Sequence, residues 1–248
     1  METHSITPAL QQVRAQTKLL VFDVFGSVVD WRGSVVRDLS AWAQPLNIDI
    51  DWNAFAVAWR KRYQPQMEQV RNGTRPWTIL DTLHRESLDI LLDQFGLTDL
   101  SEAQKQHINL VWHRLDAWPD AIAALWRLKA HYTIAPLSNG NVSLLTHIAK
   151  HTGLPWDLVL STEWFKAYKP QPQTYLGVAE IMGLEPHEVM LCAAHNPDLA
   201  AAQACGLKTA FWARPTEYAD DQTQDLVAQG NWDVVATDMR DLAHQLCD

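Results

Sequence analysis

The sequence predicts a doubly wound α/β fold, a parallel sheet with helices on both faces, carrying an inserted helical cap. Three observations predict it. Strand-length apolar runs recur along the chain with helix-length segments between them. The runs are nearly continuous rather than alternating, as expected of strands buried on both faces. Between the first two runs, residues 32–117 read as helix after helix, far too long for a simple crossover.

The first strand is "KLLVFDVF" (18–25), followed after the helical stretch by "YTIAPLS" (132–138), "DLVLST" (157–162), "VMLCAA" (189–194), "KTAFWA" (208–213) and "DVVAT" (233–237). In the insertion, "GSVVRDLSAWA" (33–43), "DWNAFAVAWRKRYQPQMEQV" (51–70), "TILDTLHRESLDILLDQF" (78–95) and "SEAQKQHINLVWHRL" (101–115) are helical, punctuated at Pro45, Gly73, Pro76 and Gly96. The expected division is a Rossmann-like core of residues 1–31 and 118–248 and a cap of residues 32–117. Because the cap follows the first strand, it is placed over the carboxyl ends of the strands, where open α/β sheets bind ligands.

With 248 residues the chain is long enough to bury a large core, and its formal charge of -9 with a pI near 5.5 argues against binding nucleic acid or an anionic membrane surface. No segment reaches the roughly 18 uninterrupted apolar residues of a membrane span, so a cytoplasmic protein is expected. Cys192, Cys205 and Cys247 are too scattered for a disulfide framework and form no CxxC pair; reduced, buried thiols fit them. Of the 12 tryptophans, Trp31, Trp42, Trp52, Trp59 and Trp77 fall in or beside the insertion; packing explains most, and one or two can line an apolar pocket.

Asp23 ends the first predicted strand, with Gly26 permitting a tight turn. Alone, such an aspartate reads equally well as an ordinary turn residue. Three later stretches sit at or just beyond strand ends on the same rim: "LSNGN" (137–141), "KAYKP" (166–170) and "AAHNPD" (193–198). They add a hydroxyl and an amide, a lysine and a second carboxylate, which together make an active site.

The ordered set Asp23, Ser138-Asn139, Lys169 and Asp198 resembles the haloacid dehalogenase superfamily. Within it, "FDVFGSVVD", the insertion with "AWRKRY", "LSNG" and "YKPQPQTY" are most similar to the L-2-haloacid dehalogenases, and the resemblance runs from Lys18 to the C-terminus. Phe25 stands where the superfamily's phosphatases carry the aspartate that protonates a leaving alkoxide and helps hold magnesium. Halide leaves without a proton, so Phe25 favours chemistry at carbon and a reaction without metal or organic cofactor.

The resemblance implies that Asp23 attacks the carbon bearing the halogen and that water hydrolyses the resulting ester at the aspartyl carbonyl. Arg60 would receive the halide and steer the anionic substrate, assisted by Asn139. Ser138, Ser27 and loop amides would hold the substrate carboxylate or the ester oxyanion, while Phe25 and Trp77 would shape a cramped apolar pocket. Lys169, beside Tyr175, would keep Asp23 ionised and bridge to Asp198, which would position or deprotonate the water.

Ala193, Ala194 and His195 replace the serine and asparagine usual in that last loop. His195 is either a capping histidine before the helix at Pro197 or a compact donor to a departing fluoride. The expected reaction is hydrolysis of short 2-haloalkanoic acids, fluoroacetate included, to 2-hydroxyalkanoic acids with release of halide, by a homodimer. Alternatives are a magnesium-dependent phosphatase or phosphonate hydrolase of the same superfamily, and a non-catalytic binding relative.

Overall fold

The computed structural model of the chain describes residues 7–219 and 222–248. Helix α1 (Pro8–Gln16) begins at a Thr7 cap with Pro8 in its first turn and buries none of its residues; Arg14 ties it to the carbonyl of Gln245. The sequence reading had not assigned this helix, which lacks an apolar stripe. Strand β1 (Leu19–Phe22) then runs through the middle of the molecule with all four residues buried.

Strand β2 (Val29–Asp30) leads into the insertion, built of α2 (Trp31–Ala43), α3 (Trp52–Arg71), α4 (Leu80–Gln94) and α5 (Glu102–Asn109). Three of these helices start at side-chain caps: Asp30 accepts from the Gly33 amide, Asp51 from Ala54, and Ser101 forms a reciprocal box with Gln104. In α3, Trp52, Phe55, Ala56, Trp59, Tyr63 and Met67 form one buried stripe at helical spacing. The last expected helix is shorter than predicted: α5 gives way at Leu110 to a 3-10 turn, with Val111, Trp112 and His113 buried.

The insertion closes on strand β3 (Asp116–Ala117), which pairs antiparallel with β2. This ribbon brings the two ends of the insertion together, and Arg37 bridges the opposed carboxylates of Asp30 and Asp116 at 3.3 and 2.7 Å. The first helical residue is Trp31, one position before the expected start of the cap.

The remainder alternates: α6 (Ala121–Lys129), β4 (Thr133–Ser138), α7 (Val142–Thr152), β5 (Leu160–Ser161), α8 (Pro172–Met182), β6 (Val189–Ala193), α9 (Asn196–Ala204), β7 (Lys208–Trp212), β8 (Val234–Ala236) and α10 (Met239–Cys247). All six expected core strands form one parallel sheet in the order β5-β4-β1-β6-β7-β8. Strand β5 is shorter than predicted. Asp157 instead accepts from the Ile134 amide at 2.9 Å and pairs with Lys129 at 2.7 Å, so it anchors the sheet edge with its side chain.

Alternation along β1 divides the core. Leu20 and Phe22 point into one apolar cluster with Ile134, Met190 and the cap's Trp31 and Trp59, whereas Leu19 and Val21 pack in a second with Leu191 and with Tyr175 and Val178 of α8. The chain leaves β1 for β4 on one side and later returns to β6 on the other, so β1 ends at the switch point of the sheet. The register pairs Phe22 with Pro136 and Cys192. Asp23 therefore emerges between the ends of β4 and β6.

His84 on α4 is a buried imidazole stacked on Trp112 at 4.4 Å, with no hydrogen-bond partner at either ring nitrogen among the described residues. Burial pushes its pKa down to about 3, against the pull of nearby Asp81. Between about pH 6.5 and pH 3 the unfolded chain binds a proton at this histidine and the folded chain does not, so stability is lost on acidification at about 1.4 kcal/mol per pH unit. Taken from pH 7 to pH 5, His84→Leu should lose about 2 kcal/mol less folding free energy than the wild type. Denaturant titrations at both pH values check this, and parallel losses would refute it.

Candidate active site

The loop after β1 is a tight turn. The amides of Val28 and Val29 both donate to the Val24 carbonyl, and Gly26 turns the chain at φ 87°. Glycine is required there for a second reason: a Cβ would lie 2.1 Å from a carboxylate oxygen of Glu217. The turn holds Asp23 at the edge of a cavity of about 380 Å³ between sheet and cap.

Both oxygens of Asp23 are engaged. Oδ1 accepts from Lys169 Nζ at 3.0 Å; Oδ2 accepts from Ser27 Oγ at 2.7 Å and from His195 Nδ1 at 2.9 Å. The Ala194 amide donates to Ser27 Oγ at 2.9 Å, which directs the serine proton toward Asp23. Burial alone would raise the pKa of Asp23, but Lys169, His195 and Ser27 outweigh it and hold the carboxyl far below its usual range. Asp23 is a carboxylate.

Lys169 lies in the segment between β5 and α8, its amide donating to Asn139 Oδ1 at 2.9 Å. Its ammonium is shared between Asp23 and Asp198 Oδ2, 2.5 Å away, and Tyr175 donates to the other Asp198 oxygen at 2.6 Å. Burial disfavours the ammonium, yet Asp198 and Asp23 raise its pKa above the ordinary lysine value. Tyr175 is held protonated by burial and by Asp198.

Arg60 enters from α3. Its guanidinium carbon lies 4.1 Å from the centroid of Tyr63, 5.4 Å from Trp31 and 5.9 Å from Phe25, and its buried Nη1 has no hydrogen-bond partner among the described residues. Phe25 packs edge-on against Tyr63 and Trp112 and fronts the cavity. The result is a permanent cation in an aromatic cage, suited to a small anion.

The structure thus brings together Asp23, Phe25, Ser27, Arg60, Asn139, Lys169, Tyr175, His195 and Asp198 from distant parts of the chain. Two expected residues lie elsewhere. Trp77 does not line the cavity; its ring packs on Tyr168 at 4.7 Å, because Tyr168 is anchored to the Thr78 carbonyl and draws that loop aside. Ser138 is wholly buried behind the rim, where its Oγ accepts from the Gly140 amide at 3.3 Å.

His195 also departs from expectation. Nε2 faces Glu217 Oε2 at 2.8 Å while Nδ1 faces Asp23, so neither ring N–H is free for a departing fluoride. It stands at the N-cap position of α9, yet its side chain makes no capping bond. Burial would lower its pKa, but Glu217 and Asp23 raise it well above the ordinary histidine value. Sequence reading missed Glu217. The signal was its place after β7, whose carboxyl end lies on the same rim as those of β1 and β6.

The haloacid dehalogenase-like hydrolase family matches residues 17–206. The chain belongs to that family. Haloacid dehalogenase-like relatives include (S)-2-haloacid dehalogenase 4A of Burkholderia cepacia, 30% identical over 80% of this chain and 85% of its own, and (S)-2-haloacid dehalogenase 1 of Pseudomonas sp. (strain CBS-3), 29% identical over 80% and 87%. Among solved structures, an L-2-haloacid dehalogenase is 50% identical with a TM-score of 0.91, covering 93% of this chain and 98% of its own. A defluorinating L-2-haloacid dehalogenase is 46% identical with a TM-score of 0.90, covering 93% and 95%.

Gly26→Ala should destabilise the fold by at least about 1 kcal/mol, since a left-handed backbone penalises any side chain and the new methyl displaces Glu217. An unchanged denaturation midpoint would show that Glu217 moves aside freely.

Proposed function

We propose that the protein is a hydrolase of carbon–halogen bonds that converts short (S)-2-haloalkanoic acids to 2-hydroxyalkanoic acids. One observation carries the reading: an ionised Asp23 faces a cavity beside Phe25, with an arginine opposite, among aromatic rings, whose buried Nη1 has no hydrogen-bond partner among the described residues. Such a site offers a nucleophile and a home for an anion. Phe25, in the place of the phosphatase acid, offers a leaving group no proton.

In this mechanism Asp23 displaces the halogen in line. The Asp23–carbon bond forms as the carbon–halogen bond breaks, and the halide departs with the electron pair toward Arg60 and Asn139. Lys169 keeps Asp23 ionised before attack. Asp198, fixed by Lys169 and Tyr175, then takes a proton from the water that attacks the ester carbonyl. Ser27 and Ser138 act from behind the rim, Ser27 directly on Asp23 and Ser138 through the Gly140 amide.

Reaction without metal is part of the proposal. The Asp23 oxygens already face the Lys169 ammonium and the His195 ring. A divalent ion would have to displace those cations. The same arrangement weighs against the magnesium-dependent phosphatase alternative. A non-catalytic role fits poorly with a nucleophile kept ionised in a cavity.

Fluoroacetate is the proposed substrate of special interest, supported by similarity to the defluorinating enzyme and by the tight aromatic surround of Arg60. The family resemblance supports a cytoplasmic homodimer, and a 28.2 kDa particle in solution would remove that part. After exhaustive EDTA treatment the enzyme should release halide from chloroacetate and fluoroacetate. A single turnover in heavy-oxygen water should label Asp23 before the product. No halide release would sink the proposal, magnesium-dependent activity would sink the metal-free route, and label appearing first in the hydroxy acid would exclude the ester.

A further inference from the structure

His195 lies between two carboxylates, and a neutral imidazole has one N–H. With Asp23 Oδ2 at 2.9 Å from Nδ1 and Glu217 Oε2 at 2.8 Å from Nε2, a singly protonated ring would turn a lone pair on one carboxylate. Both contacts are satisfied when both nitrogens carry protons. Glu217 is built for this purpose: it is 1% exposed, its other oxygen accepts from Trp31 Nε1 at 3.0 Å, and Gly26 leaves it room.

The two Asp23 oxygens are therefore unequal. Among the described residues Oδ2 has two donors, Ser27 and His195, as many as it has lone pairs. Oδ1 has one donor there, Lys169, which leaves it a lone pair for attack. We infer that Oδ1 is the attacking atom, that Oδ2 becomes the oxyanion of ester hydrolysis, and that Glu217 is a positioning residue that keeps His195 an imidazolium through that second half-reaction.

The inference rests on the proposed ester mechanism. Alkylation of Oδ1 removes the charge of Asp23, one of the two carboxylates that hold the proton on His195. Glu217 remains on the ring. Water then adds to Cγ, its first proton passing to Asp198 and on to solvent, and the displaced π electrons move onto Oδ2 between the Ser27 hydroxyl and the imidazolium. Collapse breaks the Cγ–Oδ1 bond, and the second water proton passes from the new carboxyl group to the departing alkoxide. Asp23 is regenerated carrying the water oxygen.

The charged and titratable groups around the ring come from every side: Asp23 after β1, Glu217 and Tyr218 after β7, Arg60 from α3, and Lys169 with Asp198 beyond Asp23. Lys169 and Arg60 oppose the imidazolium, which is why a buried acid is needed to hold it. Glu217, Asp23 and the ring shift in mutually consistent directions.

The test is rapid quench of wild type and Glu217→Gln with chloroacetate, following halide and hydroxy acid separately, with intact-protein mass spectrometry. The variant should keep its halide burst within about threefold and lose roughly tenfold or more in ester hydrolysis, because a charged donor has become neutral. Covalent enzyme then accumulates. Its hydrolysis rate should fall as pH rises through a histidine ionisation near the ordinary value of about 6.5, where the wild type is flat. A rate that rises through that ionisation would make His195 a base, and equal losses in both steps would make Glu217 merely structural; either overturns the inference. Nitrogen-15 histidine spectra of the wild type provide a second check that needs no variant: His195 should remain imidazolium at pH 8, and a neutral ring there also overturns it. Failure of the ester mechanism is seen separately, as absence of covalent adduct in the wild type.

Discussion

The site depends on keeping one carboxylate ionised at the buried end of a central strand. Asp23 is 8% exposed, and burying such a charge without partners costs several kcal/mol. The Lys169 ammonium meets that cost from one side, but as a buried cation it needs a second acid, Asp198, which is fixed in turn by Tyr175. Each charge makes the next necessary. The chain ends at Tyr175, a neutral hydroxyl seated in the second apolar cluster.

The same logic operates on the other oxygen. His195 lies at depth between Asp23 and Glu217, and both carboxylates favour its protonated form. The indole of Trp31, the first helical residue of the cap, completes the set by donating to Glu217. Asp23, His195, Glu217 and the cap are thereby joined by one line of hydrogen bonds as well as by packing.

The cap supplies what the sheet cannot. Loops at the strand ends deliver a lysine, an amide and carboxylates, but a further cation facing the cavity comes from Arg60 on α3. Its charge is set among aromatic faces rather than paired with an acid. Its buried Nη1 has no hydrogen-bond partner among the described residues, so on the proposed mechanism an anion would supply one. On the proposed mechanism the core would hold the attacking group and the cap would receive the leaving group.

The sequence by itself determined the sheet, the insertion and most of the rim. Six apolar runs mark β1 and β4 through β8, and Asp23, Lys169 and Asp198 sit at or near strand ends whose place on one rim follows from parallel topology. These features are local, carried by periodicity and by motifs a few residues long. Only the tertiary structure decided which polar atoms meet. Glu217 lies 22 residues from His195 and 186 from Trp31, and nothing in their spacing announces the contacts. Trp77 was drawn away by Tyr168, Ser138 turned behind the rim, and His195 was clamped between two carboxylates rather than left as a free donor. Strand patterns are written in one dimension, whereas a hydrogen bond between loops depends on orientation and depth, which exist only after the sheet has formed and the cap has settled on it.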